Sequence, residues 1–131
     1  MKKIFYLFFL PMIFLSCSSD NDEVNSNGIN PPDWIQGTWL VEGSVTGDVG
    51  FRFTGSDVVL LQNLLDTSYG DLVNHSRELG QKVEIEQDVS SDHYSLHLIF
   101  SSGQTMKFEF RKISNDEITW VQSQNTVLVK Q

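Results

Sequence analysis

Tyr94-Ser95-Leu96-His97-Leu98-Ile99-Phe100-Ser101-Ser102-Gly103-Gln104-Thr105-Met106-Lys107-Phe108-Glu109-Phe110-Arg111 is the stretch that decides the fold. Tyr94, Leu96, Leu98 and Phe100 alternate with Ser95, His97 and Ile99. Met106, Phe108 and Phe110 alternate with Lys107, Glu109 and Arg111. A period of two puts one set of side chains on a buried face and the other on a wet face, so both runs read as half-buried antiparallel strands. Ser101-Ser102-Gly103-Gln104 between them is a short hairpin loop.

The same pattern extends in both directions. Upstream, Val83 and Ile85 alternate with Glu84 and Glu86. Downstream, Ser114-Asn115-Asp116-Glu117 turns into Ile118-Thr119-Trp120-Val121, and Gln124-Asn125 turns into Thr126-Val127-Leu128-Val129-Lys130. Nearer the start, Trp34 to Val45 is rich in β-branched and aromatic residues and reads as a first strand. Phe51-Arg52-Phe53-Thr54, the turn Gly55-Ser56-Asp57 and Val58-Val59-Leu60-Leu61 read as a hairpin. Leu60 to Leu65 fits strand and helix equally by periodicity. One short amphipathic helix is expected between Asp66 and Leu79. Ser68 and Asp71 form a capping box, Tyr69, Leu72, Val73, Ser76 and Leu79 share a face, and Gly80 follows as a C′ residue. The expected fold is therefore mainly β, a small antiparallel meander forming a barrel or half-barrel, with one short α-helix.

The N-terminal end is of a different kind. Lys2 and Lys3 precede an apolar run from Ile4 to Leu15, then Ser16 and Cys17, the only cysteine. The run is shorter than the roughly 20 residues a transmembrane helix needs, and the layout is that of a secretory signal. Phe14-Leu15-Ser16-Cys17 resembles the lipobox of bacterial lipoproteins. That resemblance implies cleavage after Ser16 and attachment of diacylglycerol and palmitate-type acyl chains to Cys17, making an outer-membrane lipoprotein. Two or three acyl chains hold a protein stably, at about 0.8 kcal/mol per buried CH₂. Ser18-Ser19-Asp20-Asn21-Asp22-Glu23 resembles the serine-then-acidic signal that sends Bacteroidetes lipoproteins to the cell surface, so the surface is expected over the periplasmic face. The polar stretch to Pro32 reads as a disordered tether. The expected organisation is a signal peptide at 1–16, an acylated cysteine and tether at 17–32, and one β domain at 33–131.

Charge and composition narrow the function classes. All 17 acidic residues lie beyond the leader, against seven basic ones once Lys2 and Lys3 are removed, a formal −10. That sign argues against nucleic acid as a partner. With no second cysteine, a disulfide cannot form within the chain. The histidines are His75, His93 and His97. On a strand His93 and His97 share a face but stand about 13 Å apart, too far for one metal ion. Asp92 and His93 near serines make no nucleophile elbow, because no Gly-x-Ser-x-Gly occurs. Glu84 and Glu86 sit on a polar strand face, where burial does not tune them. Asn74-His75-Ser76 matches a glycosylation sequon in form only. No catalytic, metal or cofactor site is expected, and the chain reads as a non-enzyme.

Gly37-Thr38-Trp39, led by Asp33-Trp34-Ile35-Gln36 and followed by the meander, resembles the Gly-x-Trp start of lipocalin-like domains. The resemblance implies that Gly37 allows close approach at the barrel base, that Trp39 plugs that end, and that Lys130 on the last strand stacks on Trp39. The chain departs from the family pattern at Thr-Asp-Tyr, of which Ser91-Asp92-His93-Tyr94 is a loose echo, and in its inserted helix. Arg52 and Arg111 alternate away from the neighbouring phenylalanines, so a carboxylate-binding cavity is not supported. A candidate ligand pocket lies between the helix and the strand faces carrying Tyr94, Phe108 and Trp120. Two functions follow as expectations. One is an envelope lipoprotein that binds a small apolar ligand inside its barrel. The other is a protein-interaction or inhibitor module that uses its outer surface or an edge strand, its partner not named by the sequence.

Overall fold

The computed structural model describes residues 27–43 and 48–131. The leader, Cys17, the acidic stretch after it and Val45 lie outside the described residues. Nine strands follow in chain order: β1 (Gly37–Val41), β2 (Val49–Phe53), β3 (Val58–Gln62), β4 (Leu65–Ser68), β5 (Val83–Val89), β6 (His93–Phe100), β7 (Thr105–Lys112), β8 (Glu117–Trp120) and β9 (Thr126–Lys130). They form one antiparallel sheet in the order β4-β3-β2-β1-β9-β8-β7-β6-β5. The sheet curls into a half-barrel with one short helix, α1 (Tyr69–Glu78), between β4 and β5 in sequence. The expected mainly-β meander is thus what the chain forms.

The stretch Tyr94 to Arg111 folds as its alternation requires. Tyr94, Leu96, Leu98 and Phe100 are buried, and Tyr94 pairs with Phe110 and Leu96 with Phe108. Like residues therefore meet across the β6–β7 ladder on one face. The core continues through Ile118 of β8 and Leu128 of β9 and through Phe51, Phe53 and Val58 on the other arm of the sheet. The ambiguous run Leu60 to Leu65 resolves as the end of β3, a two-residue turn at Asn63 and Leu64, and the start of β4. Its periodicity is uninformative because β3 is covered on both sides. Val58 belongs to the core, whereas Val59 and Leu61, of opposite parity, are buried outside that cluster.

The helix starts at Tyr69 rather than near Asp66, because Asp66 and Thr67 are taken up in pairing with Leu61 and Leu60. Ser68 caps it as expected, its hydroxyl accepting from the Asp71 N–H at 3.1 Å. Gly80, at φ +87°, ends it in a Schellman motif: its N–H donates to Arg77 O and that of Gln81 to Ser76 O. Leu79 does not join the buried face. It is the C-cap and is largely exposed.

Two boundaries at the start differ from expectation. Asp33–Ile35 form a 3-10 turn, so β1 begins at Gly37 and Trp34 lies outside it. More consequentially, residues before Asp33 are packed into the core. Ile29 is fully buried in the core cluster and Asn27 is 8% exposed. Residues 27–32 form a strap along the β5 edge, held by side chains. Gln87 accepts from the Asn30 N–H and donates to Gly28 O, both at 2.8 Å. Asn27 donates to Ser56 O, and Arg77 donates to Asn27 O. One buried apolar side chain, with hydrogen bonds to Gln87, Ser56 and Arg77, is enough to order a segment whose composition reads as tether.

Candidate functional site: the barrel base, the filled interior and the open edge

Gly37, Trp39 and Lys130 form one unit at the barrel base. Trp39 and Lys130 are directly paired residues of β1 and β9. The Lys130 ammonium lies 5.4 Å from the Trp39 ring centroid, a cation–π contact. Trp39 is fully buried, and its indole N–H donates to Ile35 O at 2.7 Å, which ties the 3-10 turn across the base. A Cβ on Gly37 would come within 3.1 Å of Lys130 Cε, so this position, at φ +131°, leaves room for the lysine stem. These are packing contacts, which join β1, β9 and the 3-10 turn.

Tyr94, Phe108 and Trp120 are brought together, and the space between them is occupied by rings. Phe51 sits 4.7 Å from Trp120, 5.9 Å from Phe108 and 4.9 Å from Phe110, each edge to face. Phe53 packs 5.0 Å from Phe110 and 6.4 Å from Tyr94. On the helix side, Tyr69 lies 4.6 Å from Phe108. Edge-to-face contacts at these spacings are favourable aromatic packing. Tyr94 donates its hydroxyl proton to Gln87 Oε1 at 2.8 Å, and burial pushes its phenol well above the ordinary range. The Trp120 indole N–H is buried with no acceptor among the described residues.

The outer face over β5–β7 is polar. Arg52 and Arg111 are exposed, as their parity requires. His93 Nε2 lies 2.9 Å from Glu109 Oε1, and His97 Nδ1 lies 3.4 Å from Glu86 Oε2. The His93 hydrogen bond holds the Glu109 carboxyl below the usual glutamate range. A surface depression of about 310 Å³ is lined here by Asp92, His93, Arg111 and Lys112, with the Lys112 ammonium 5.9 Å from the Trp34 ring. A second, of about 410 Å³, lies beside Leu40, Val49 and Val129. His75 is exposed on α1. Among the described residues, His, Asp and Glu nowhere gather in a group of three that could hold a metal ion.

The two sheet edges are treated differently. The β5 edge carries the strap. At the other, Leu65, Asp66 and Thr67 of β4 are exposed and make no backbone hydrogen bond beyond the β3 ladder among the described residues. Leu64, at the turn, is 101% exposed and Leu65 is 73% exposed. On the outer face of this edge, Asp66 meets Arg52 at 3.8 Å, each side chain about half exposed (52% and 45%). Which strand forms the open edge is not legible in the sequence, because openness depends on which strands meet. The one local signal is Asn63-Leu64-Leu65, a turn carrying two leucines where polar residues are the rule.

No protein-family model, curated protein or solved structure matches the chain.

Proposed function

We propose that the chain is an outer-membrane lipoprotein, anchored through acyl chains on Cys17 and carried on the cell surface, whose half-barrel works without catalysis as a protein-interaction or inhibitor module. The observation that carries this reading is the contrast between interior and edge. Aromatic rings pack where a small apolar ligand would sit, and Leu64 and Leu65 are exposed at a strand with one free edge. Ligand pockets are concave and largely pre-formed, which favours the outer-surface reading over the apolar-ligand reading.

Native mass spectrometry of the full chain purified from its own host tests the choice. A retained protein is the expected result. A stoichiometric small apolar molecule with no protein would reverse the preference. Fractionation of a Cys17→Ser variant tests the anchor: the variant is expected to leave the membrane fraction, and its retention there would remove the lipoprotein assignment.

A further inference from the structure

We infer that β4 is a docking edge for an extended segment of a partner protein, one whose apolar side chains alternate with basic ones, and that Leu64 and Leu65 anchor it. This rests on the interaction reading above and gives it a place and a chemistry.

The backbone is available. Gln62 and Leu65 close a two-residue hairpin, and the closing pair of such a hairpin is hydrogen-bonded to itself. Pairs then alternate along the ladder, so Leu65 and Thr67 spend their N–H and C=O groups on β3. Those of Asp66 turn outward, and an added antiparallel strand satisfies both groups with one residue. Four residues make a short edge, which limits indiscriminate pairing and leaves side chains to supply selectivity.

Those side chains differ on the two faces. Leu65 and Thr67 continue the row of Gln62 and Leu60, and Leu60 packs against the core. An apolar side chain on the incoming strand would lie beside Leu65 and cover surface that is now wet. On the opposite face Asp66 is half exposed and has only the long 3.8 Å contact to Arg52. A lysine or arginine one residue along the incoming strand would stand beside it. The excess of acidic residues over basic ones across the chain draws a basic segment toward the edge and repels an acidic one.

The chain enters the domain away from this turn. Asn27 is bonded to Ser56 in the β2–β3 turn, at the opposite end of β3 from Leu64. The two turns are about 20 Å apart at ~3.3 Å per residue. Nine residues separate Cys17 from Asn27, at most about 35 Å of chain. An anchor at Cys17 therefore joins the domain at the Ser56 end of β3 and leaves the leucine turn at the opposite end of that strand.

The test uses the purified full-length chain and two fluorescein-labelled decapeptides, one alternating valine with lysine and one alternating valine with glutamate, followed by anisotropy. The lysine peptide is expected to bind at least about tenfold more tightly than the glutamate peptide. The double variant Leu64→Ser/Leu65→Ser, which leaves the net charge unchanged, should weaken it by about tenfold or more. Asp66→Asn and Asp66→Pro carry the same charge and differ in the outward N–H, so Asp66→Pro should bind about tenfold more weakly than Asp66→Asn. Circular dichroism of each variant establishes that the fold is retained. Equal affinity for the two peptides, equal affinity across the variants, or no binding by the folded wild-type chain would each overturn the docking edge. A protein still retained in native mass spectrometry by the wild-type chain, the Leu64→Ser/Leu65→Ser variant and Asp66→Pro would overturn it too, while leaving the broader interaction reading in place.

Discussion

Replacing Ile29 with alanine tests whether the strap belongs to the cooperative fold. Ile29 is fully buried and part of the same cluster as Trp39, Phe53 and Tyr94. Truncating a fully buried isoleucine removes transfer free energy and leaves a cavity, together about 2–5 kcal/mol. A central value of ~3 kcal/mol is a large share of the roughly 5–15 kcal/mol that holds a typical domain. In a domain of this size each kcal/mol moves the melting point by about 4–8 °C, so Ile29→Ala should melt ~12–24 °C below the parent. Leu64→Ala serves as the control, because a fully exposed side chain should change stability by no more than about 0.5 kcal/mol. Urea titration followed by tryptophan fluorescence gives both differences, and an unchanged m value would show that the same unit unfolds. An Ile29→Ala variant within about 0.5 kcal/mol of the parent would refute the reasoning, since it would mean that the strap leaves the core without cost.

Two further outcomes follow from single contacts. A Cβ on Gly50 would stand 1.9 Å from Trp39 O and 2.9 Å from Leu40 Cα, backbone atoms that cannot turn aside. Gly50→Ala should therefore cost more than about 3 kcal/mol in the same urea titration, at or above the upper end for overpacking, and a smaller loss would mean that β1 and β2 can separate freely. The pH dependence turns on Glu109. The His93 hydrogen bond lowers its carboxyl most, against a smaller upward push from burial, with the charges of His93, Lys107 and Arg111 adding to the lowering. A carboxyl lowered on folding stabilises the fold at pH values above its unfolded value, ordinarily about 4.5, and that contribution is lost as pH falls from there through the folded value. His93→Ala should flatten this acid-side loss in melting temperature, and an unchanged slope below pH 4.5 would count against the pairing.

Much of the second half of the fold is legible because β5 to β9 keep a period of two with one wet face, which ties each side chain to a side of the sheet. The helix is legible from its ends, Ser68 and Gly80, which satisfy backbone groups through local chemistry. The first half resists reading for identifiable reasons. β3 is apolar on both faces, so Val58 to Leu61 shows no alternation. The strap hides because Ile29 stands alone among Asn, Gly and Pro, and its partners Gln87 and Arg77 lie about fifty residues or more away. Of the candidate site residues, Gly37, Trp39 and Lys130 are brought together, and Tyr94, Phe108 and Trp120 are joined in one cluster through Phe51 and Phe53. Which strand is left without a neighbour cannot be read locally, because it is decided by how far the sheet curls.

The pairing of β1 with β9 also bears on the order of events in folding. The β2–β4 arm and the β5–β8 arm each consist of strands that pair with their neighbours in sequence, so each can form from local contacts. The seam between the arms joins Trp39 to Lys130, across nearly the whole described chain. Closing so long a loop is slow relative to forming hairpins. While Lys130 is still unmade, β1 has only β2 beside it and the Trp39 ring has no lysine over it. The two arms therefore remain separate, with their apolar faces uncovered, until β9 is made and reaches β1.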